Sequence, residues 1–360
     1  MLHTVHMFCE IDYFYYEALF NSLKKLSKSN GAKFYKEKDG TYHCHLLQKN
    51  GLILILRQVK SSYYSGLEII MNPIRLLYGN ENDAYFLLAD MKHYRAICKA
   101  FVKLFKPIKQ EFERIKGNKH HKFKLHMLNS YSFKRVDFAV NIYTEHIKFY
   151  MELIKRANIP DDFHLFVKDD PASKRKKPPK DSFYIFKKDK KGKATLTINC
   201  YNKGKQLKDE QLPCDDEELA KSTIRFEVQC RYTKVYNLLK VNDSNEPDFW
   251  KLLKKQLSDN ILHYYFNRTI GYGDYVPFPK AREIIRSKRM KQEKKDALIG
   301  TLELVNKKRG IWKARETVSD KKKFDKHIKE LHQLGVNPVT IPLDWKIGYL
   351  PCLFDLMQYE

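Results

Sequence analysis

The sequence contains no apolar run near the roughly 18 to 20 residues that a membrane-spanning helix needs. Its longest, GLILILRQV at 51–59, reads as a buried strand. It also lacks a C-x-x-C pair, and its seven cysteines are scattered and odd in number. A disulfide framework or zinc knuckle is therefore not expected, and reduced, mostly buried thiols are. The start MLHTVHMFCEID has no basic head, apolar middle or small-residue cleavage site of a signal peptide, which points to the cytoplasm and away from a membrane. Acidic residues are in deficit: 43 Asp+Glu against 68 Lys+Arg leave a formal charge of +25.

What is present is a folded body. Hydrophobic residues make up 43% and aromatics 13%, with 22 Phe and 23 Tyr, far more than a disordered basic chain carries. At 360 residues the chain is long enough for two domains. A cationic excess of this size recruits polyanions by releasing their condensed counterions, so nucleic acid or an anionic membrane is the expected partner.

Along the chain, residues 2–9 alternate as a strand, and YYEALFNSLKKLSKS follows as a helix capped at Asn30-Gly31. Asp39-Gly40 and Asn50-Gly51 separate two or three strands, GLEIIMN is another, and 91–116 has helical apolar spacing. YSFKRVDFAVNIYT repeats the strand pattern and EHIKFYMELIKRAN the helical one. DPASKRKKPPKDS is a Pro-rich basic loop. FYIFKK and KATLTINCYNK form a hairpin turning near Gly192, STIRFEVQCRY is a further strand, and helices dominate from about Pro247. The order implies an α+β fold, an antiparallel sheet backed by helices. It divides into 1–130, an α+β part that extends the sheet or binds duplex; 131–246, the core; and 247–360, a helical DNA-binding region, with a break near 243–248.

Three strands each carry one polar residue that strand logic does not select. Asp137 interrupts FKRVDFAVNI on a face shared with Arg135, Ala139 and Asn141; Glu227 interrupts TIRFEVQC; Tyr184 sits between Phe183 and Ile185. Taken singly, each reads as packing or as a surface ion pair, with Arg135 and Arg225 two residues away as partners. Together in a basic chain they suit phosphodiester cleavage: a tyrosine hydroxyl attacks while two carboxylates hold Mg²⁺ or Mn²⁺. Lys187 and Lys203 are candidates for steadying the phosphate.

KRVDFAVNI, FYIFKK leading into ATLTINCYNKGKQL, and TIRFEVQCRYTKVYNL resemble the core of the filamentous-phage gene II/X replication protein family and the related plasmid rolling-circle replication initiators. MLHTVHMF, NPIRLLYGNEN and LGVNPVTIP are similar to that family too. The resemblance implies an HUH-endonuclease-like nuclease core and a replication initiation protein that nicks and rejoins one origin strand through a tyrosyl-phosphate. Host helicase and polymerase would be partners, alongside single-stranded and duplex origin DNA. Carried over by motif, Tyr184 is the nucleophile, Asp137 and Glu227 the metal ligands and Lys203 a catalytic lysine; Lys187, Lys188, Arg135 and Arg225 would contact DNA. Asn141 stands where many initiators have a second acid, and Tyr201 remains a rival nucleophile. His43 and His45 in YHCHLL fit the histidine-hydrophobic-histidine metal pattern but lie well before Asp137. The competing classes are a mobilisation relaxase, a non-catalytic DNA-binding protein, and a metal-free tyrosine recombinase; the last would need a His-x-x-Arg, which does not occur.

Overall fold

Val5, Met7, Cys9 and Ile11 alternate with His6, Phe8 and Glu10, and they build the buried face of β1 (Leu2–Ile11). The helix α1 (Tyr13–Ser29) starts where the Asp12 carboxylate accepts the Tyr15 N–H at 2.8 Å and stops at Asn30. Four strands follow: β2 (Phe34–Lys36), β3 (Tyr42–Cys44), β4 (Leu52–Val59) and β5 (Tyr64–Met71). Next come α2 (Pro73–Tyr78), α3 (Tyr94–Lys116) and β6 (Ser132–Tyr143). This is a computed structural model of the chain, and it describes residues 1–59, 64–79, 85–116, 122–170, 175–177, 181–212, 214, 216–241 and 248–358. No described helix is long and apolar enough to cross a membrane.

The chain then runs through α4 (Ile147–Ile154), β7 (His164–Leu165), β8 (Lys168–Asp170), β9 (Arg175–Lys177), β10 (Ser182–Lys188) and β11 (Ala194–Asn202). After α5 (Lys203–Asp209) and α6 (Glu217–Ser222) comes β12 (Thr223–Arg231). The remainder is helical: α7 (Tyr232–Val241), α8 (Phe249–Leu252), α9 (Lys255–Thr269), α10 (Phe278–Ser287), α11 (Gln292–Lys308), α12 (Ile311–Arg315) and α13 (Lys321–Gln333). A last short strand, β13 (Met357–Gln358), pairs with β6. The stretch expected as one helix from Phe249 is broken into α8 and α9. Most of the lysine-rich loop and the expected domain break fall on 171–174, 178–180 and 242–247, outside the described residues.

Two compact units interleave along the chain. One holds Met1–Ala139, Pro213–Asp216 and Gln229–Asn260; the other holds Val140–Leu212, Glu217–Val228 and Ile261–Glu360. Strands β6 and β12 each give residues to both. The sheet is antiparallel in β1–β5, β1–β6, β2–β3, β3–β4 and β4–β5 of the first unit and in β7–β10 and β10–β11 of the second.

One strand order occurs twice. A first strand is followed by a helix, and the later strands then fold back so that the last lies beside the first, giving β1-β5-β4-β3-β2 and β6-β12-β11-β10-β7. In both halves one face is apolar and buried. In the first it carries Val5, Met7, Cys9, Leu67 and Ile69; in the second Phe183, Ile185, Ile198, Cys200, Phe226 and Val228. The other face carries Asp137 and Asn141 on β6, Arg225 and Glu227 on β12, and Tyr184 and Tyr201 on β10 and β11.

Candidate metal centre

Strand parity assembles the polar face. On β6 it presents Arg135, Asp137 and Asn141, and on β12 Arg225 and Glu227, each spaced by two. The two strands meet through the Arg225 guanidinium, whose Nε donates to Asn141 Oδ1 at 2.9 Å. Next door on β11 are Asn199 and Tyr201, and the Tyr201 hydroxyl donates to Glu227 Oε2 at 3.2 Å. Tyr184 on β10 pairs with Asn199, so it shares this face and stands diagonal to Tyr201. The sequence motif therefore places Tyr184, Tyr201 and Glu227 on one surface of neighbouring strands.

Asp137 and Glu227 are only 2% and 4% exposed, where a carboxylate is costly unless charge or hydrogen bonds compensate it. Arg135 Nη2 supplies part of that compensation to Asp137 Oδ2 at 2.8 Å. His3 joins them: the ligand atoms of His3, Asp137 and Glu227 all lie within 4.8 Å of one another. This is the one such group of three or more among the described residues. One imidazole and two carboxylates are a borderline-to-hard donor set that suits Mn²⁺ or Mg²⁺ and leaves positions open for a phosphate.

Sequence reasoning missed His3. Its strand register explains why. Leu2 pairs with Phe138 and Thr4 with Asp137, so a residue is gained between them and His3 is the bulged one. Period-2 alternation does not assign a face to such a residue. The only signal is the pair of histidines in HTVH at the chain start, inside a segment that carries family likeness and no assigned role.

The Tyr201 phenol is held far above its ordinary pKa, first by burial and then by the Glu227 charge beside it, with Arg225 opposing. It is a stable proton donor to Glu227. Tyr184 is half-buried instead, its ring 4.9 Å from Phe166 and 6.2 Å from Phe186.

The other expected residues divide. Lys203, 3% exposed, opens α5 and donates from Nζ to Gln206 Oε1 at 2.8 Å. Gly204 after it lies so close to α6 that a Cβ would meet the Ala220 carbonyl oxygen at 2.4 Å, which is why YNKG ends in glycine. Lys187 is exposed and pairs with Asp162 at 2.8 Å, and the Lys188 ammonium lies 5.3 Å from the Phe186 ring. Arg225, expected to contact DNA, is 0% exposed, and its guanidinium ties β12 to β6. His43 and His45 gather around Tyr35 on the β2–β3 hairpin, one ring 5.6 Å from it and the other accepting or donating at its hydroxyl.

No family model matches the chain, and no curated protein does. Among solved structures it is similar to a rolling circle replication initiator protein from Geobacillus stearothermophilus, with 7% identity and a TM-score of 0.31 over 95% of this chain and 98% of that one.

Proposed function

We propose that the chain is a metal-dependent DNA nickase that starts rolling-circle replication: Tyr184 cuts one strand at an origin and stays joined to it. The observation that carries the reading is the convergence of His3, Asp137 and Glu227 on the polar face that also presents Tyr184. A divalent ion held by those three would polarise the scissile phosphate and offset the charge that builds on its oxygens.

The chain's own residues do the rest. The Tyr184 oxygen attacks phosphorus and its proton passes to solvent, forming the Tyr–O–P bond. The bond from phosphorus to the 3′ oxygen breaks, and that oxygen takes up a proton to become the free 3′-hydroxyl. Tyr201 and Arg135 fix the carboxylates of Glu227 and Asp137 through their hydrogen bonds. Tyr201 is the weaker nucleophile because its proton is committed to Glu227 and burial opposes its ionisation.

The test is a denaturing gel. Wild type, incubated with Mn²⁺ and single-stranded oligonucleotides tiling the genetic element that encodes it, is expected to give a covalent protein–DNA band. Tyr184→Phe gives none while still binding the oligonucleotide. A band that survives in Tyr184→Phe and vanishes in Tyr201→Phe would move the nucleophile to Tyr201; no band with wild type on any strand would leave a non-catalytic binding protein.

A further inference from the structure

Helices α10 and α11 are joined by only four residues, 288–291, and form a corner in the second unit. Its core is built from Ala281 and Ile285 of α10, Leu298, Ile299 and Leu302 of α11 and Leu331 of α13, and Met290 of the turn packs against it. The spacing that buries these residues turns Arg286, Lys288, Arg289 and Lys291 outward, and all four are exposed.

Nearby cations are already engaged: Lys280 with Glu283 at 2.8 Å, Lys294 with Glu330 at 3.2 Å, and Lys295 with the Arg286 carbonyl at 2.6 Å. The four at the corner make no ion pair or side-chain hydrogen bond with any described residue. The 17-residue α11 begins just behind them with no side-chain cap, so its first amide N–H groups add donors and a positive dipole end.

We infer that this corner binds the phosphate backbone of duplex DNA, through Arg286, Lys288, Arg289, Lys291 and the α11 N-terminus. Charge complementarity selects a polyanion. The segment 286–296, RSKRMKQEKKD, has no aromatic side chain on which an unpaired base could stack, which disfavours a single strand. Its one apolar residue, Met290, is turned to the core, which disfavours a membrane surface. A helix entered from a short turn is the geometry that enters a duplex groove. The inference rests on the reading that the chain works on DNA, and adds a duplex site apart from the metal centre.

The experiment measures binding to a fluorescent duplex from the encoding element, without divalent ion, across a series of KCl concentrations. The variant Arg286→Gln/Lys288→Gln/Arg289→Gln/Lys291→Gln is expected to flatten the log–log salt slope by about 3 to 4, near 0.9 for each phosphate that the protein stops neutralising. Lys307→Gln/Lys308→Gln/Lys322→Gln/Lys323→Gln, all exposed and equal in charge removed, is expected to change it by less than about 1. Equal losses in the two variants would overturn the location. A single strand or RNA duplex bound as tightly as the DNA duplex, and lost equally in the first variant, would overturn the partner. The first variant should still form the covalent band on single-stranded oligonucleotide, so loss of duplex binding with nicking kept supports this site. Absence of nicking in wild type with the slope change intact would sink the nickase alone.

Discussion

The two halves place a glutamate on the same strand of the same topology and treat it in opposite ways. In the first half, Glu68 on β5 lies 3.6 Å from Arg57 of the neighbouring β4 and 3.5 Å from Lys134. In the second, Glu227 on β12 meets the Tyr201 hydroxyl from the neighbouring β11 and has His3 and Asp137 within 4.8 Å. A guanidinium and an ammonium use up the first carboxylate's charge. The Tyr201 phenol donates to the second, beside the Asp137 carboxylate and the His3 imidazole. The adjacent strand supplies a guanidinium to the first glutamate and a phenol to the second, on a strand order that the two halves share.

The largest expected effect breaks this comparison directly. Glu227→Gln removes one of three donors and should weaken Mn²⁺ binding by at least about 100-fold, read by calorimetry or Mn²⁺ electron paramagnetic resonance with no DNA present. Glu68→Gln should leave Mn²⁺ affinity within about twofold. It strands Arg57 and Lys134, each about a third exposed, and should cost about 1 kcal/mol of stability. Equal losses of Mn²⁺ affinity would mean that the contrast does not set metal binding.

A smaller effect sharpens the contrast at the adjacent strand. Tyr201→Phe keeps the ring and removes the donor to Glu227, so the carboxylate loses its orientation but not its charge. Mn²⁺ affinity and the rate of covalent band formation should fall about 10-fold, and raising Mn²⁺ should restore the rate. A variant that no Mn²⁺ concentration rescues would make Tyr201 the attacking residue.

How much of this was legible follows from strand parity. Asp137 and Glu227 stood out because each interrupts an apolar alternation, and the structure puts both on the polar face. His3 was hidden by the bulge between Leu2 and Thr4, where alternation fails. Period 2 gives a residue's face without saying how deeply it is buried there, and Arg225 is 0% exposed. The strands β7 and β13, two residues each, are too short to have a period. The doubled strand order was legible only as a repeated β-α-hairpin rhythm, since the pairing of last strand with first joins residues far apart in the chain.

Each unit also buries a histidine whose protonation is strongly disfavoured, and acid tests the pair with the smallest expected effect. His6, 3.9 Å from Glu68, is lowered to about 3 by burial first and then by the Arg135, Arg231 and Lys134 charges. His332 is lowered to about 4 by burial, against the pull of its Nδ1 contact with the Tyr272 carbonyl. Both folded-state values lie below the unfolded value near 6.5, so the unfolded chain binds protons first as pH falls. Stability from each group is complete above pH 6.5 and lost on acidification towards its folded value. Between pH 7 and pH 5 the loss from His332 should be about 1 to 2 kcal/mol, followed as a falling midpoint in urea unfolding. His332→Gln should flatten that fall over this range while leaving Mn²⁺ binding unchanged, because His332 packs on Gly271, where a Cβ would meet its ring at 2.2 Å, and takes no part in the metal centre. If the acid dependence of wild type and variant coincides, burial of His332 contributes nothing to it and the loss belongs to other groups, among them the buried His6.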